Sequence, residues 1–358
     1  MKKNSGKRLK VGVLGAGQIA QAAHFESCAK AANADLYAIC DVAEDLCKRM
    51  AVTHGAERTY FDYAQMLADP DIDAVIIATS DAFHVPATKL ALEAGKHVLC
   101  EKPIGLTVEE VEALRPLVKT SGKILQIGHM KRFDAGLQAA KEFIDMEIGE
   151  VVALKAWYCD STHRYANTDA VQPLVVSSAN ARKPTQNPKA DLRRYYMLAH
   201  GCHLIDTAHY FAGDIISVQA RLSERAGIWC WFVDVEFASG TLGHLNLTVA
   251  VRLDWHEGFQ IYGKNGSVLG KTFNPWFYRS SEVDIFREAT GAYSRTLGAD
   301  GHFYRRQLEG FADVILNGGE MTGANLEDGI ASVRAMVAIA RSVESGKRIN
   351  LADVSGGV

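Results

Sequence analysis

The sequence predicts an α/β chain in two parts: an N-terminal doubly wound parallel sheet over residues 1–128, and a C-terminal α+β part over 129–358 with a large open, mainly antiparallel sheet. Three observations predict it. Between residues 9 and 128, short β-branched runs alternate with longer stretches of helical periodicity, the order that produces a parallel sheet covered on both faces. After residue 129, long β-rich runs follow one another with turn chemistry between them. A length of 358 residues also exceeds what one core usually serves.

The expected strands of the first part are Val11–Leu14, Leu36–Cys40, Thr59–Phe61, Ala74–Ala78, His97–Cys100 and Ile124–Ile127. A helix over Ala135–Asp145 opens the second part, followed by β-rich runs at 151–159, 215–224, 229–238, 241–251 and 258–263. Ala238-Ser239-Gly240 and Lys264-Asn265-Gly266 read as turns, because Asn and Gly tolerate positive φ. Helices near 302–316 and 327–345 close the chain. The stretch from Asp160 to Arg194 carries Pro173, Pro184 and Pro188 and the cations Arg182, Lys183, Lys189, Arg193 and Arg194. It is a solvated surface excursion, a substrate lid or an arm to a neighbouring subunit.

A net charge of −3 provides no basic stripe for nucleic acid or anionic membrane, so neither partner is expected. The seven cysteines are scattered singly, without a Cys-x-x-Cys pair or a disulfide framework, which suits a reducing compartment. The basic start leads straight into a strand, and no run approaches the roughly 18 apolar residues of a membrane span. A cytoplasmic protein is expected.

The turn Gly15-Ala16-Gly17-Gln18-Ile19-Ala20 follows the first strand and opens a helix. Gly15 permits the tight turn, Gly17 lets backbone approach a pyrophosphate, and Ala20 stays small for helix packing. The helix amides and dipole then receive phosphate charge. Asp41 closes the second strand, where a carboxylate accepts from ribose hydroxyls and repels a 2′-phosphate, favouring NAD over NADP. It could equally cap the next helix. Ala78-Thr79-Ser80 ends the fourth strand, with His84 shortly after, at the carboxyl strand ends where ligands collect. His84 either serves this site or caps a helix.

Glu101-Lys102-Pro103 follows the fifth strand. An ammonium at Lys102, beside a nicotinamide, stabilises a developing alkoxide, and Pro103, read as following a trans-like peptide, fixes the backbone beyond it. The run from His200 to His209 reads as helical from about residue 198. Steps of 100° per residue put His200 and His209 on opposite faces, so no metal site is expected. His203 and Asp206 share a face, where the carboxylate could orient an imidazole suited to general base work.

These motifs, with Gly128-His129-Met130-Lys131-Arg132-Phe133 and Gly201-Cys202-His203-Leu204-Ile205-Asp206, make the chain resemble the glucose-fructose oxidoreductase and inositol dehydrogenase family, Gfo/Idh/MocA, over nearly its whole length. The resemblance implies an N-terminal Rossmann domain and a C-terminal domain whose open sheet carries subunit contacts, hence a homo-oligomer. It also implies NAD-dependent oxidation of sugar or cyclitol ring hydroxyls, with Lys102 and His203 catalytic. Glu101 joins the expected cofactor contacts, and Arg132, Lys155, His200, Asp206 and Tyr158 are the expected substrate contacts. One departure stands out: the family often has an aspartate four residues before the histidine, where this chain has Ala199. The aromatics Trp157, Tyr158, Tyr195, Tyr196, Trp229, Trp231, Trp276 and Phe277 either fill the core or line a pocket wide enough for a glycoside. The leading expectation is oxidation of a glycoside at a ring hydroxyl such as C3. An inositol dehydrogenase, a carbonyl reductase on the same fold and a non-catalytic NAD sensor are the alternatives.

Overall fold

The structure, a computed structural model, describes residues 6–160, 173–182, 188–298 and 300–358. Part of the Asp160–Arg194 stretch, including Lys183 and Pro184, lies outside the described residues. The chain divides into two compact units.

The first unit comprises Met1–Met130, Pro173–Ala190 and Tyr304–Gly329. Its sheet is built from β1 (Leu9–Leu14), β2 (Ala34–Cys40), β3 (Arg58–Tyr60), β4 (Ala74–Ile77), β5 (His97–Cys100) and β6 (Leu125–Ile127), in the order β3-β2-β1-β4-β5-β6. All pairs are parallel, with Val13 beside Ile39 on one side and Ile76 on the other. The expected strands are present, His97–Cys100 with identical bounds and the others within two residues of theirs. Strand β4 is buried at all four positions, which is why its sequence is a continuous apolar run rather than an alternation. The order reverses between β1 and β4, opening the crevice at their carboxyl ends where such sheets bind ligands.

The helix Phe303–Asn317 supplies Leu308, Phe311, Ala312 and Ile315 to this unit's core cluster. Their spacing of i, i+3, i+4 and i+7 makes one apolar stripe. The helix follows the strands of the second sheet in sequence, yet its stripe buries against the core of the first unit.

The second unit comprises Lys131–Gln172, Asp191–Phe303 and Ile330–Val358. Its sheet contains β7 (Val151–Asp160), β8 (Ile215–Arg225), β9 (Ile228–Phe237), β10 (Leu242–Val249), β11 (His256–Gly263), β12 (Gly266–Thr272), β13 (Glu282–Arg287), β14 (Ala292–Thr296) and β15 (Ile349–Asn350). The order is β14-β13-β12-β11-β7-β10-β9-β8-β15. Every pair is antiparallel except β7 with β10. Both expected turns join antiparallel neighbours, β9 to β10 and β11 to β12. Strands β12 to β15 were not expected: β12 carries two glycines and sets Val268 directly beside Leu269, and β14 is largely exposed, so neither shows an apolar alternation.

The helix Ala135–Met146 starts where Asp134 accepts from the Leu137 N–H at 2.9 Å. Its other oxygen accepts from the Ser281 N–H at 2.9 Å, so the cap also ties the helix to the sheet. The segment that bears His200 departs from expectation. It is a π-helical turn over Met197–Gly201, and the α-helix runs only from Cys202 to Ala212. The uniform 100° step therefore fails before residue 202, and π turns of this kind concentrate at functional sites.

Candidate active site

In the first unit the glycine turn is stitched to the strands on either side. The Gly15 N–H donates to Cys40 at 2.8 Å and the Ala78 N–H donates to Leu14 at 2.9 Å. Gly15 has φ +95°, and a Cβ there would lie 2.8 Å from the Ala78 carbonyl oxygen, so the position requires glycine on both counts. A Cβ on Gly17 would meet nothing within 4 Å, leaving open space over the start of the Gln18-Ile19 helical turn. Ala20 is fully buried.

Asp41 holds this turn in shape. One carboxylate oxygen accepts from the Ala16 N–H at 2.7 Å and the other from the Ala43 N–H at 2.8 Å. A carboxylate has about four acceptor sites, so capacity for ribose hydroxyls remains. Beyond β4, Ala78 is buried, and the buried Thr79 hydroxyl has no hydrogen-bond partner. An orphaned hydroxyl at a strand end, an open space over Gly17 and a helix amino end fit a dinucleotide phosphate and ribose.

His84 does not cap its helix. The ring is buried and bridges two carbonyl oxygens, that of Pro103 at 2.7 Å from Nδ1 and that of Thr79 at 3.1 Å from Nε2. It thereby fastens the β4 loop beside Ser80 to the Lys102-Pro103 loop. The Lys102–Pro103 peptide is cis, not trans-like as the sequence was read.

Glu101 is buried, accepting from His24 Nε2 at 2.9 Å and from the Lys102 N–H at 3.2 Å. Burial drives its carboxyl upward, but the His24 hydrogen bond and the charges of His24, Lys102 and His84 outweigh that and hold it below the ordinary value. Glu101 thus anchors the backbone of Lys102. His24, 77 positions away on a π-helical turn, carried no local signal in the sequence.

In the second unit Tyr158 is the hub. Its ring lies parallel to that of His203, 5.9 Å between centroids and 3° apart in plane, and its hydroxyl is 3.2 Å from His200 Nδ1. Lys131 Nζ sits 4.5 Å over the Tyr158 ring, and Trp255 meets that ring edge-on. Lys131 is itself paired with Glu257, which also accepts from Trp255 Nε1 at 3.1 Å. Burial pushes the Glu257 carboxyl up, against the pull of Lys131 and Trp255. The Asp160 carboxylate, at the end of β7, lies 3.6 Å from His200 Nδ1. It brings a negative charge to a segment whose sequence has Ala199 where the family often has aspartate.

Arg132 and Asp206, expected as substrate contacts, are buried and engaged with each other through three hydrogen bonds of 2.7–3.2 Å. Tyr158, also expected to touch substrate, is 2 % exposed, so its effect passes through the two histidines. Lys155 is a correction. Side chains alternate along β7, and three positions from Tyr158 the exposed Lys155 emerges on the opposite face with Trp157. Of the remaining aromatics, Trp229 and Trp231 are buried core residues, whereas Phe277 is 42 % exposed. Lys131, Asp160, Trp255 and Glu257 carry no local signal of this role in the sequence: Lys131 stands in Gly128–Phe133, but its partner is 126 positions away. Among the described residues no three His, Cys, Asp or Glu gather as metal ligands, and no helix is long and apolar enough to cross a membrane.

Comparison with known proteins agrees with this architecture. Residues 9–129 match the oxidoreductase family model with an NAD-binding Rossmann fold, and residues 137–269 match the Gfo/Idh/MocA C-terminal domain. The myo-inositol 2-dehydrogenase of Thermotoga maritima is 26 % identical over 352 residues, covering 97 % of this chain and all of that protein. The D-glucoside 3-dehydrogenase of Escherichia coli is 24 % identical, covering 96 % of this chain and 97 % of that one. The solved structure of levoglucosan dehydrogenase with NADH and L-sorbose shares the fold, with a TM-score of 0.78 at 21 % identity and coverage of 97 % and 99 %. With its glycine turn, Asp41 and the orphaned Thr79 hydroxyl in an NAD-binding Rossmann unit, and both halves of the chain matched, the protein belongs to the Gfo/Idh/MocA family of oxidoreductases.

Proposed function

We propose that this oxidoreductase converts a ring hydroxyl of a glycoside, at C3, to a ketone. The observation that carries the reading is the support built around Lys102. Its backbone stands just past the carboxyl end of β5, with Glu101 accepting from its N–H and His84 holding the next carbonyl. NAD supplies the hydride acceptor when bound. The Lys102 ammonium steadies negative charge on the oxygen as the carbinol loses its proton. His203 takes that proton as general base, its ring held by the parallel Tyr158. Arg132 positions His203 by clasping Asp206 one turn further along the same helix.

The glycoside is favoured over a free cyclitol by Tyr195, a half-buried aromatic whose ring centroid lies 6.5 Å from that of His200. Aromatic faces suit sugar rings and flat aglycones. The relative named as a D-glucoside 3-dehydrogenase supports this choice. The relative named as a myo-inositol 2-dehydrogenase supports the second reading, cyclitol oxidation on the same machinery.

The test is to incubate purified protein with NAD and a panel of glycosides, free sugars and cyclitols, following NADH absorbance and product mass. A glycoside product lighter by two hydrogens, with the carbonyl located at C3, is the expected result. Turnover of cyclitols alone moves the assignment to the second reading, and no NADH from any polyol overturns both.

A further inference from the structure

The segment Pro173–Arg182, part of the stretch the sequence left unassigned, is fastened to the first unit at three places. The Gln21 carboxamide pairs with the Val176 backbone twice, donating to its carbonyl and accepting from its N–H, both at 2.9 Å. The same Gln21 Nε2 donates to the Ala16 carbonyl of the glycine turn at 2.8 Å. Ser178 Oγ donates to the two carboxylate oxygens of Asp45 at 2.7 and 2.8 Å, and Asn180 Nδ2 adds a third contact at 3.3 Å. The Arg182 guanidinium lies 5.2 Å over the Phe83 ring. Val176 and Ala181 pack against the core cluster of the unit.

The three anchors follow the ends of three adjacent strands: Gln21 after β1, Asp45 after β2 and Phe83 after β4. Each stands four positions beyond a residue of the NAD site, Gln21 after Gly17, Asp45 after Asp41 and Phe83 after Thr79. The segment therefore touches elements that follow the same strand ends as the residues of the NAD site. It leaves the space over Gly17 open, since a Cβ there would meet nothing within 4 Å. The hydrogen bonds from Ser178 and Asn180 hold the Asp45 carboxyl below its ordinary range, as expected for an anchor to the ionised form.

We infer that Pro173–Arg182 is a strap over the NAD site that retains the cofactor, its anchors Gln21, Asp45 and Phe83 setting the rate at which NAD enters and leaves. The inference rests on NAD binding alone and is independent of the substrate.

The test measures release of NADH from the full-length protein by stopped-flow fluorescence, chasing with excess NAD and with no substrate present. Two variants are compared with the parent: Ser178→Ala with Asn180→Ala, and a chain in which residues 174–181 are replaced by an equally long Gly-Ser segment. Loss of the Asp45 anchor should speed release roughly threefold, and loss of the whole strap roughly tenfold or more, by the usual worth of a few hydrogen bonds. Association should quicken in both. The double alanine variant changes one half-buried and one exposed side chain, neither in the core, so it reports even if the larger replacement fails to fold. Unchanged release in the double variant overturns the inference. So does slower release or tighter binding, since that outcome makes the segment a competitor for the site.

Discussion

Arg132 and Asp206 close on each other with guanidinium Nη2 2.7 Å from carboxylate Oδ1, and both side chains are buried. The carboxylate belongs to the helix Cys202–Ala212, one turn beyond His203, so the pair fixes the element that presents the imidazole. Removing one member of a buried pair leaves an unpaired charge in the interior. Asp206→Ala should therefore lose about 3–5 kcal/mol of stability, while Arg132→Met with Asp206→Leu should lose much less. Urea unfolding of the three proteins measures this, and a single-variant loss below about 1 kcal/mol, the worth of an exposed pair, removes the argument.

The two glycines of the turn should separate folding from binding. Gly15→Ala forces a side chain into positive φ and against the Ala78 carbonyl, and should destabilise the protein by about 1–3 kcal/mol. Gly17→Ala meets open space, so its stability should stay within about 0.5 kcal/mol of the parent. Its NADH affinity should nevertheless fall roughly tenfold or more, because the methyl intrudes where backbone approaches the pyrophosphate. Thermal melts and fluorescence titration read the two quantities, and an undiminished affinity in Gly17→Ala would place the pyrophosphate elsewhere.

Lys102→Ala should lower kcat by roughly 100-fold or more while changing the Kd for NADH only a few-fold, since its charge acts on the developing alkoxide. A base works only when deprotonated, so activity limited by His203 rises with pH. His203→Ala should remove that rise and flatten the acid limb of the kcat/KM profile. Full activity in both variants would strike out the proposed chemistry.

His97 should make the first unit acid-sensitive. Burial, reinforced by the Lys123 charge, lowers its imidazole from 6.5 to about 4, and its Nδ1 accepts from the Ile124 N–H at 3.0 Å. The unfolded chain binds this proton at a higher pH than the folded one. The contribution of neutral His97 is therefore complete above pH 6.5 and is lost progressively as the pH falls towards about 4. His97→Gln, which keeps an acceptor for Ile124 but cannot titrate, should show a smaller drop in urea midpoint between about pH 7 and about pH 5. Equal drops in parent and variant would mean that the imidazole does not drive the loss.

Periodicity and turn chemistry are local, and what is local was legible in the sequence. The six parallel strands, the glycine turn, Asp41 at the end of β2 and the two hairpins joining β9–β10 and β11–β12 all follow from residues within a few positions of one another. Lys102 and His203 stood out as candidates because their motifs are short and contiguous.

Tertiary structure alone decided which partner each polar group received. Glu101 meets His24, Lys131 meets Glu257, Arg132 meets Asp206 and Gln21 meets Val176 across 74 to 155 positions of chain. Burial makes an unpaired polar group costly and so forces such pairings, yet no periodicity records which distant residue will satisfy it. The same holds for Lys155, whose face on β7 is set by the register of the sheet, and for the helix Phe303–Asn317, whose apolar stripe names no particular core. The sequence alone determined the elements and the chemistry they carry, and packing determined which side chains hold that chemistry in place.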